Sequence, residues 1–105
     1  YLGGHVVVVG HGRVGQRITA ALEAKGIPFV VAEESREAVE RLRERGLQAV
    51  YGNAVEPATL IQAHVAHARM LVIATPETIE VRRMVETART LNPSIAVALR
   101  SHNAE

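Results

Sequence analysis

Apolar residues along the chain fall into short continuous runs that alternate with longer segments of helical periodicity. The first run is Val6-Val7-Val8-Val9, four β-branched residues that predict a strand buried on both faces. Similar runs predict further strands at 29–32, 47–51, 70–74 and 95–99. Because strands buried on both faces are typical of parallel sheets with helices on either side, this pattern indicates an α/β domain.

Helical spacing fills the intervals between these strands. In the first interval the apolar face consists of Val14, Ile18, Ala21 and Leu22, and Gly26 ends the helix. Ser35 is placed to cap a second helix over about 36–45, and Pro57 to begin a brief third one through residue 63. The longest helix is predicted at 77–91, with Val81, Met84, Val85 and Ala88 on one face. The alternation predicts a Rossmann-like, doubly wound parallel sheet with strand order 3-2-1-4-5 and helices on both faces.

A glycine-rich turn joins the first strand to the first helix. It has the form G-x-G-x-x-G, running Gly10-His11-Gly12-Arg13-Val14-Gly15. Gly10 permits the tight reversal, Gly12 allows a pyrophosphate to approach the backbone, and Gly15 allows the helix to pack near the sheet. The strand before it and the helix after it favour a mononucleotide or dinucleotide site over a simple turn.

An acidic residue ends the second strand, as such a site requires. Glu33 follows Gly15 by 18 residues and can accept hydrogen bonds from ribose hydroxyls. Its charge would repel a 2′-phosphate, which favours NAD or AMP/ATP over NADP. Arg36 argues the other way because an arginine here can hold a 2′-phosphate, unless it only pairs with Glu40 on the helix surface.

The predicted topology brings the strand ends together. In a sheet of order 3-2-1-4-5, the ligand crevice lies outside the carboxyl ends of strands one and four. The candidate cofactor-binding residues at this edge are Gly10, His11, Gly12, Arg13, Val14, Gly15, Glu33, Glu34, Ser35, Arg36, Gly52, Asn53, Ala54, Thr75 and Pro76. Arg100, at the end of strand five, is predicted to reach either this crevice or an adjoining domain.

Composition narrows the class of protein further. The 105 residues suit a single domain, 1–105, and a net charge of +1 without a basic run argues against nucleic-acid binding. No apolar run approaches the ~20 residues of a membrane span, and no cysteine is present. His64 and His67 stand three residues apart, but no third ligand is placed to complete a metal site. Because the chain begins at Tyr1 without methionine, we expect a fragment of a larger protein.

Five segments together resemble the RCK domain, also called the KTN or TrkA N-terminal domain, which regulates bacterial potassium channels and transporters. They are V-V-V-G-H-G-R-V-G, V-V-A-E-E-S-R-E, Y-G-N-A, L-V-I-A-T-P and A-L-R-S-H, and they span essentially the whole chain. The chain is most similar to the C-terminal domains of Kef-type potassium/proton antiporters. This resemblance implies a position at the cytoplasmic face of the inner membrane, attached to a transmembrane antiporter domain. It also implies control by NAD(H) or AMP/ATP and assembly into homodimers.

The resemblance also implies roles for single residues. Gly10, Gly12, Arg13, Val14 and Gly15 would surround the phosphates, and Glu33 would bind the ribose hydroxyls. Arg36 would lie beside the ribose or base, Asn53-Ala54 would meet the adenine, and Thr75 would line the crevice near the second half of a dinucleotide. His11 and the Glu34-Ser35 pair depart from the residues frequent in relatives.

Two other functions remain open at this point. The chain is predicted not to be an enzyme, because no substrate domain and no His–Asp or Lys–Tyr constellation stands out. The enzyme alternative is the cofactor-binding half of an NAD-dependent dehydrogenase. A third possibility is a dimerisation scaffold with a vestigial site, which predicts no nucleotide affinity.

Overall fold

Five parallel strands form one sheet in the order β3-β2-β1-β4-β5, as the sequence predicts. The computed structural model describes residues 3–76 and 79–99. The strands are β1 (Val6–Val9), β2 (Phe29–Glu33), β3 (Gln48–Tyr51), β4 (Met70–Ile73) and β5 (Ala96–Leu99). The helices are α1 (Arg13–Ala24), α2 (Arg36–Glu44), α3 (Pro57–Gln62) and α4 (Ile79–Leu91). Residues 77–78, where α4 was predicted to begin, lie outside the described residues, as does Arg100.

The valine run forms the centre of the sheet. All four side chains of β1 are buried, and the strand pairs with β2 on one side and β4 on the other. Val6 and Val8 point into a core shared with α2, whereas Val7 and Val9 point into a core shared with α3 and α4. The sheet is therefore covered on both faces, and the strand order reverses between β1 and β4.

The buried face of α1 differs from the predicted one. Gly15 and Thr19 are its buried residues, Ile18 and Leu22 are half-buried, and Ala21 is exposed, so the prediction for Ala21 was wrong. Thr19 is tolerated in this position because its hydroxyl donates to the Gln16 carbonyl (3.2 Å) and hydrogen-bonds His11 Nε2 (3.1 Å).

The remaining helices agree closely with the sequence pattern. Ser35 caps α2 by accepting a hydrogen bond from the Ala38 amide (3.2 Å), and Val39 and Leu42 are buried. Pro57 is the first residue of α3. A 3₁₀ turn at Val65–His67, which the sequence did not predict, connects α3 to β4.

Candidate functional site

A crevice opens at the carboxyl ends of the strands, where the strand order reverses. It is a cavity of about 300 Å³. Seven of the predicted site residues line it: Gly10, Glu33, Glu34, Gly52, Ala54, Thr75 and Pro76. Its other lining residues are Val9, Ala32, Glu80 and Met84, which the sequence analysis did not assign to a site. The topology therefore brings segments from four different strand ends to one cavity.

At two positions of the glycine turn, the surrounding atoms leave no room for a side chain. Gly10 has a φ of +92°, and a Cβ there would lie 2.7 Å from Cγ2 of Thr75. A Cβ on Gly15 would overlap the carbonyl oxygen of Gly10. These two glycines are thus required by the fold, because they allow α1 to start directly beside the end of β1.

Gly12 is different, because the protein itself does not require a glycine there. Its φ of −79° and ψ of −154° suit any residue, and a Cβ would meet no atom within 4 Å. Gly12 is also the N-cap of α1, and it offers no side chain to the helix. A side chain at Gly12 would therefore enter open space.

The N-terminus of α1 carries unmet hydrogen-bond donors. The first intrahelical bond runs from the Gln16 amide to the Gly12 carbonyl (2.9 Å), so the amides of Arg13, Val14 and Gly15 have no acceptor within the helix. No acidic residue occurs in the first turn to balance the positive end of the helix dipole. Three amides and the exposed side chain of Arg13 therefore offer a site for an anion.

Glu33 is held in place by the backbone around it. Its Oε1 accepts a hydrogen bond from the His11 amide (2.8 Å), and its Oε2 accepts one from the Ser35 amide (2.6 Å). The carboxylate thus joins the glycine turn to the loop that follows β2. Since each carboxylate oxygen has more than one lone pair, both can still accept from a ligand hydroxyl. The spacing rule had identified Glu33 but not these two bonds.

The imidazole of His11 does not line the crevice. It lies in a neighbouring cavity of about 190 Å³ between α1 and α2, which Gln16, Arg41 and Arg45 also line. Burial lowers the pKa of His11, the Glu33 carboxylate acts in the opposite direction, and Arg45 and Arg41 lower the pKa further. His11 therefore contributes its backbone amide to the glycine turn, and its imidazole lies on the side of the neighbouring cavity.

Two further predicted residues use their side chains in local turns. The hydroxyl of Ser35 caps α2, and Oδ1 of Asn53 accepts a hydrogen bond from the Val55 amide (2.9 Å).

The guanidinium carbon of Arg36 lies 4.7 Å from the centroid of the Tyr51 ring. Tyr51 was not predicted as a site residue, although an aromatic residue immediately before Gly52 was the available signal.

Neither a metal-binding cluster nor a membrane-spanning helix occurs within residues 3–76 and 79–99. This part of the chain holds no group of three His, Cys, Asp or Glu side chains able to bind a metal ion. His64 and His67 are both exposed. Among the described helices, none combines the length and the apolar character that crossing a membrane would need.

The fold and the crevice define a Rossmann-type nucleotide-binding architecture. The sequence matches the model of the TrkA-N domain over residues 6–105, and the chain belongs to that family. This confirms the resemblance drawn from the five sequence segments.

Two relatives place the chain within the family. It is 42% identical over 98 residues, which are 93% of the chain, to the "Putative cation/proton antiporter YbaL" of Escherichia coli (strain K12). It is 32% identical over 96% of its length to the "Putative K(+) efflux antiporter KefB" of Alkalimonas amylolytica. The chain spans only 18% and 16% of the lengths of these two proteins.

Solved structures show the same fold. The crystal structure of the TrkA-N domain of the inner membrane protein ybaL from Escherichia coli matches with a TM-score of 0.93 and 40% identity, covering 96% of this chain and 75% of that one. The Shewanella denitrificans Kef CTD in its AMP-bound form matches with a TM-score of 0.80 and 26% identity, covering 92% of this chain and 58% of that one.

Proposed function

We propose that the chain is a nucleotide-binding regulatory domain that controls a potassium/proton antiporter or a related potassium transport system. The observation that carries this proposal is the uncapped N-terminus of α1, which stands beside the backbone-held carboxylate of Glu33. One feature is suited to a phosphate and the other to a ribose. The relatives support the transport role, because two of them carry antiporter names.

Each part of an adenine nucleotide has a counterpart in the described residues. The phosphates would accept hydrogen bonds from the amides of Arg13, Val14 and Gly15. The ribose hydroxyls would donate to the free lone pairs of Glu33. The adenine would extend toward Asn53-Ala54, and the second half of a dinucleotide would extend toward Thr75-Pro76.

The charge of the crevice favours NAD(H) or AMP/ATP over NADP(H). Glu33, Glu34 and Glu80 all contribute to its lining. A 2′-phosphate would be placed next to the Glu33 carboxylate, whose position is fixed by two backbone hydrogen bonds. Repulsion between these like charges would outweigh the contacts that the second phosphate gains.

Regulation would follow from differential binding. A nucleotide that binds one arrangement of a domain pair better than another shifts the population toward that arrangement, and the attached transporter follows. We place this domain pair, a homodimer, at the cytoplasmic face of the membrane, with each copy joined to a transmembrane antiporter domain. We propose a sensor rather than an enzyme, because the relatives named above are antiporters and not dehydrogenases.

A calorimetric titration of the chain with AMP, ATP, NAD⁺, NADH and NADPH tests the proposal. We expect AMP, ATP or NAD(H) to bind and NADPH to bind at least tenfold more weakly than the best of them. The same titration with Glu33→Ala serves as a control for the location of the site. Lack of affinity for every one of these nucleotides would favour a dimerisation scaffold with a vestigial site. A preference for NADPH would contradict the proposal that the Glu33 carboxylate repels a 2′-phosphate.

A further inference from the structure

The cavity between α1 and α2 differs in charge from the crevice at the strand ends. It measures about 190 Å³, and none of the described residues lines both cavities. Its lining residues are His11, Gln16, Ala38, Arg41, Leu42 and Arg45. Among the described residues, no carboxylate lines this cavity, whereas three glutamates line the crevice. The cavity between the helices is therefore the one that attracts an anion.

The α2 wall of this cavity follows from helical periodicity. Ala38 and Leu42 are one turn apart and buried, so they give the cavity an apolar floor. Arg41 and Arg45 are also one turn apart, and both are exposed. The spacing of four residues thus places two arginine side chains along the same edge of the cavity.

The charge of these two arginines is only partly compensated. Nη2 of Arg45 lies 3.1 Å from Oε1 of Glu23, an exposed ion pair that joins the C-terminal ends of α2 and α1. The guanidinium of Arg41 forms neither an ion pair nor a hydrogen bond with any residue that the structure describes. Each guanidinium presents several N–H donors in one plane, which matches the oxygens of a carboxylate or a phosphate.

The imidazole of His11 adds a titratable donor to the same cavity. The Thr19 hydroxyl gives its single proton to the Gln16 carbonyl (3.2 Å), so it accepts the hydrogen bond from Nε2 of His11 (3.1 Å). Nδ1 of His11 therefore carries a lone pair in the neutral ring and an N–H in the protonated ring. Only the protonated ring can donate a further hydrogen bond to an anion.

The charges around this ring decide when it is protonated. Burial lowers the pKa of His11, the Glu33 carboxylate opposes this effect, and Arg45 and Arg41 lower the pKa further. An anion beside the two arginines would offset their repulsion of the imidazolium and so raise the pKa of His11. By linkage, the affinity for the anion rises as the pH falls through that pKa.

We propose that this cavity binds a small oxyanion with two negative charges, either a tetrahedral ion or a short dicarboxylate, between Arg41, Arg45 and His11. Two guanidinium groups on neighbouring turns of one helix match two negative charges. The volume suits such an ion, because sites for larger organic ligands measure roughly 300–1,000 Å³. This site is additional to the crevice, and it does not depend on the proposed nucleotide function.

Titrations of ¹⁵N-labelled chain with sodium sulfate and with sodium succinate, each compared with sodium chloride at the same ionic strength, test the site. The amides of Leu42 and Arg45 should shift with at least one dianion and not with chloride, and the tighter dianion identifies the ligand class. Arg41→Gln should weaken that binding about threefold to tenfold. Arg17→Gln removes an exposed arginine of α1 that does not line the cavity, so this matched control should leave the affinity unchanged.

The ring of His11 provides a second readout, which a general effect of surface charge would not move. Its pKa, followed through the proton shifts of the imidazole, should rise in saturating dianion but not in chloride. Sulfate keeps its charge over the relevant range, so its affinity should rise about threefold or more from about pH 8 to about pH 5.5. His11→Asn should remove this pH dependence, and Arg17→Gln should retain it.

Each of four results would overturn this anion site. They are shifts no larger than those caused by chloride, full dianion affinity in Arg41→Gln, an unchanged pKa of His11 at saturating dianion, and shifts confined to Arg13, Val14 and Gly15. The last result would assign the anion to the glycine turn instead. None of the four would contradict the nucleotide proposal, which the titrations with AMP and NAD⁺ test separately.

Discussion

Replacing Gly12 by valine should abolish nucleotide binding without unfolding the chain. Gly12 is the one glycine of the turn whose Cβ would meet no protein atom within 4 Å, and its φ of −79° is open to L-residues. A valine side chain would therefore fit the protein but would occupy the approach to the amides of Arg13, Val14 and Gly15.

Gly12→Val should have a small effect on stability and a large effect on nucleotide affinity. Valine is a poorer N-cap than glycine, which costs about 1 kcal/mol of unfolding free energy. A phosphate displaced from two of the amides loses two hydrogen bonds to a charged acceptor, each worth about 1.5–3 kcal/mol. Affinity should therefore fall by about 100-fold or more, since about 1.4 kcal/mol corresponds to a factor of ten.

Calorimetric titration with AMP and NAD⁺, together with urea unfolding, measures both effects on the same protein. Ala24→Val is the matched control, because it adds a similar side chain at an exposed position in the last residue of α1. It should cost about 0.5 kcal/mol of stability and leave affinity unchanged. Unaltered nucleotide affinity in Gly12→Val would refute the assignment of the phosphate to this turn.

Three further variants or conditions give independent tests. Glu33→Ala should weaken AMP and NAD⁺ alike, by about tenfold or more in titrations, and should cost about 1–3 kcal/mol in urea unfolding because two amides lose their acceptor. Burial lowers the pKa of His11 below its ordinary 6.5, so the unfolded chain binds a proton at this histidine more readily than the folded chain does. The unfolding free energy should therefore fall as the pH drops below about 6.5. His11→Asn removes the titrating group and should flatten this pH dependence. Leu60→Ala should cost about 2–5 kcal/mol in urea unfolding, because Leu60 is fully buried in the core between the sheet and α4.

Each of these has a clear contrary outcome. An effect of Glu33→Ala on stability alone would leave Glu33 as a structural residue of the turn. A pH dependence that is the same in His11→Asn would show that another group titrates. A change below about 1 kcal/mol for Leu60→Ala would place the apolar core elsewhere.

Most of the fold could be predicted because its strongest features are local. Four consecutive valines, and the similar runs that follow, can satisfy their burial only inside a sheet covered on both faces. The strand order follows from the right-handed connections between parallel strands and from the reversal at the nucleotide motif. The structure confirms the order β3-β2-β1-β4-β5.

The sequence-based predictions were wrong or incomplete at positions whose structure depends on hydrogen bonds or backbone conformation and not on apolar periodicity. Thr19 is buried on α1 in place of Ala21 because its hydroxyl has two polar partners, which apolar periodicity does not register. The 3₁₀ turn at Val65–His67 follows His64, whose φ of 59° is uncommon for a non-glycine residue. The segment between Ala63 and Ala68 contains neither Gly nor Pro, so nothing in its composition predicted a turn.

The candidate site was predictable in its backbone and less so in its side chains. The glycine spacing and Glu33 follow from a rule about distances along the chain. The place of the His11 imidazole between α1 and α2 depends on how these two helices pack. The contact of Arg36 with Tyr51 depends on how α2 packs beside β3. Such contacts join residues that are far apart in the sequence, so no local sequence pattern predicts them.

The location of the bound nucleotide is the central claim, and amide chemical shifts test it most directly. Addition of AMP to ¹⁵N-labelled chain should shift the amides of residues 10–15, 33–36 and 52–54, with the largest changes at Arg13, Val14 and Gly15. Amides at the opposite end of the sheet, such as that of Gly46, should not move. Shifts confined to the cavity between α1 and α2, or no shifts at saturating AMP, would contradict the account.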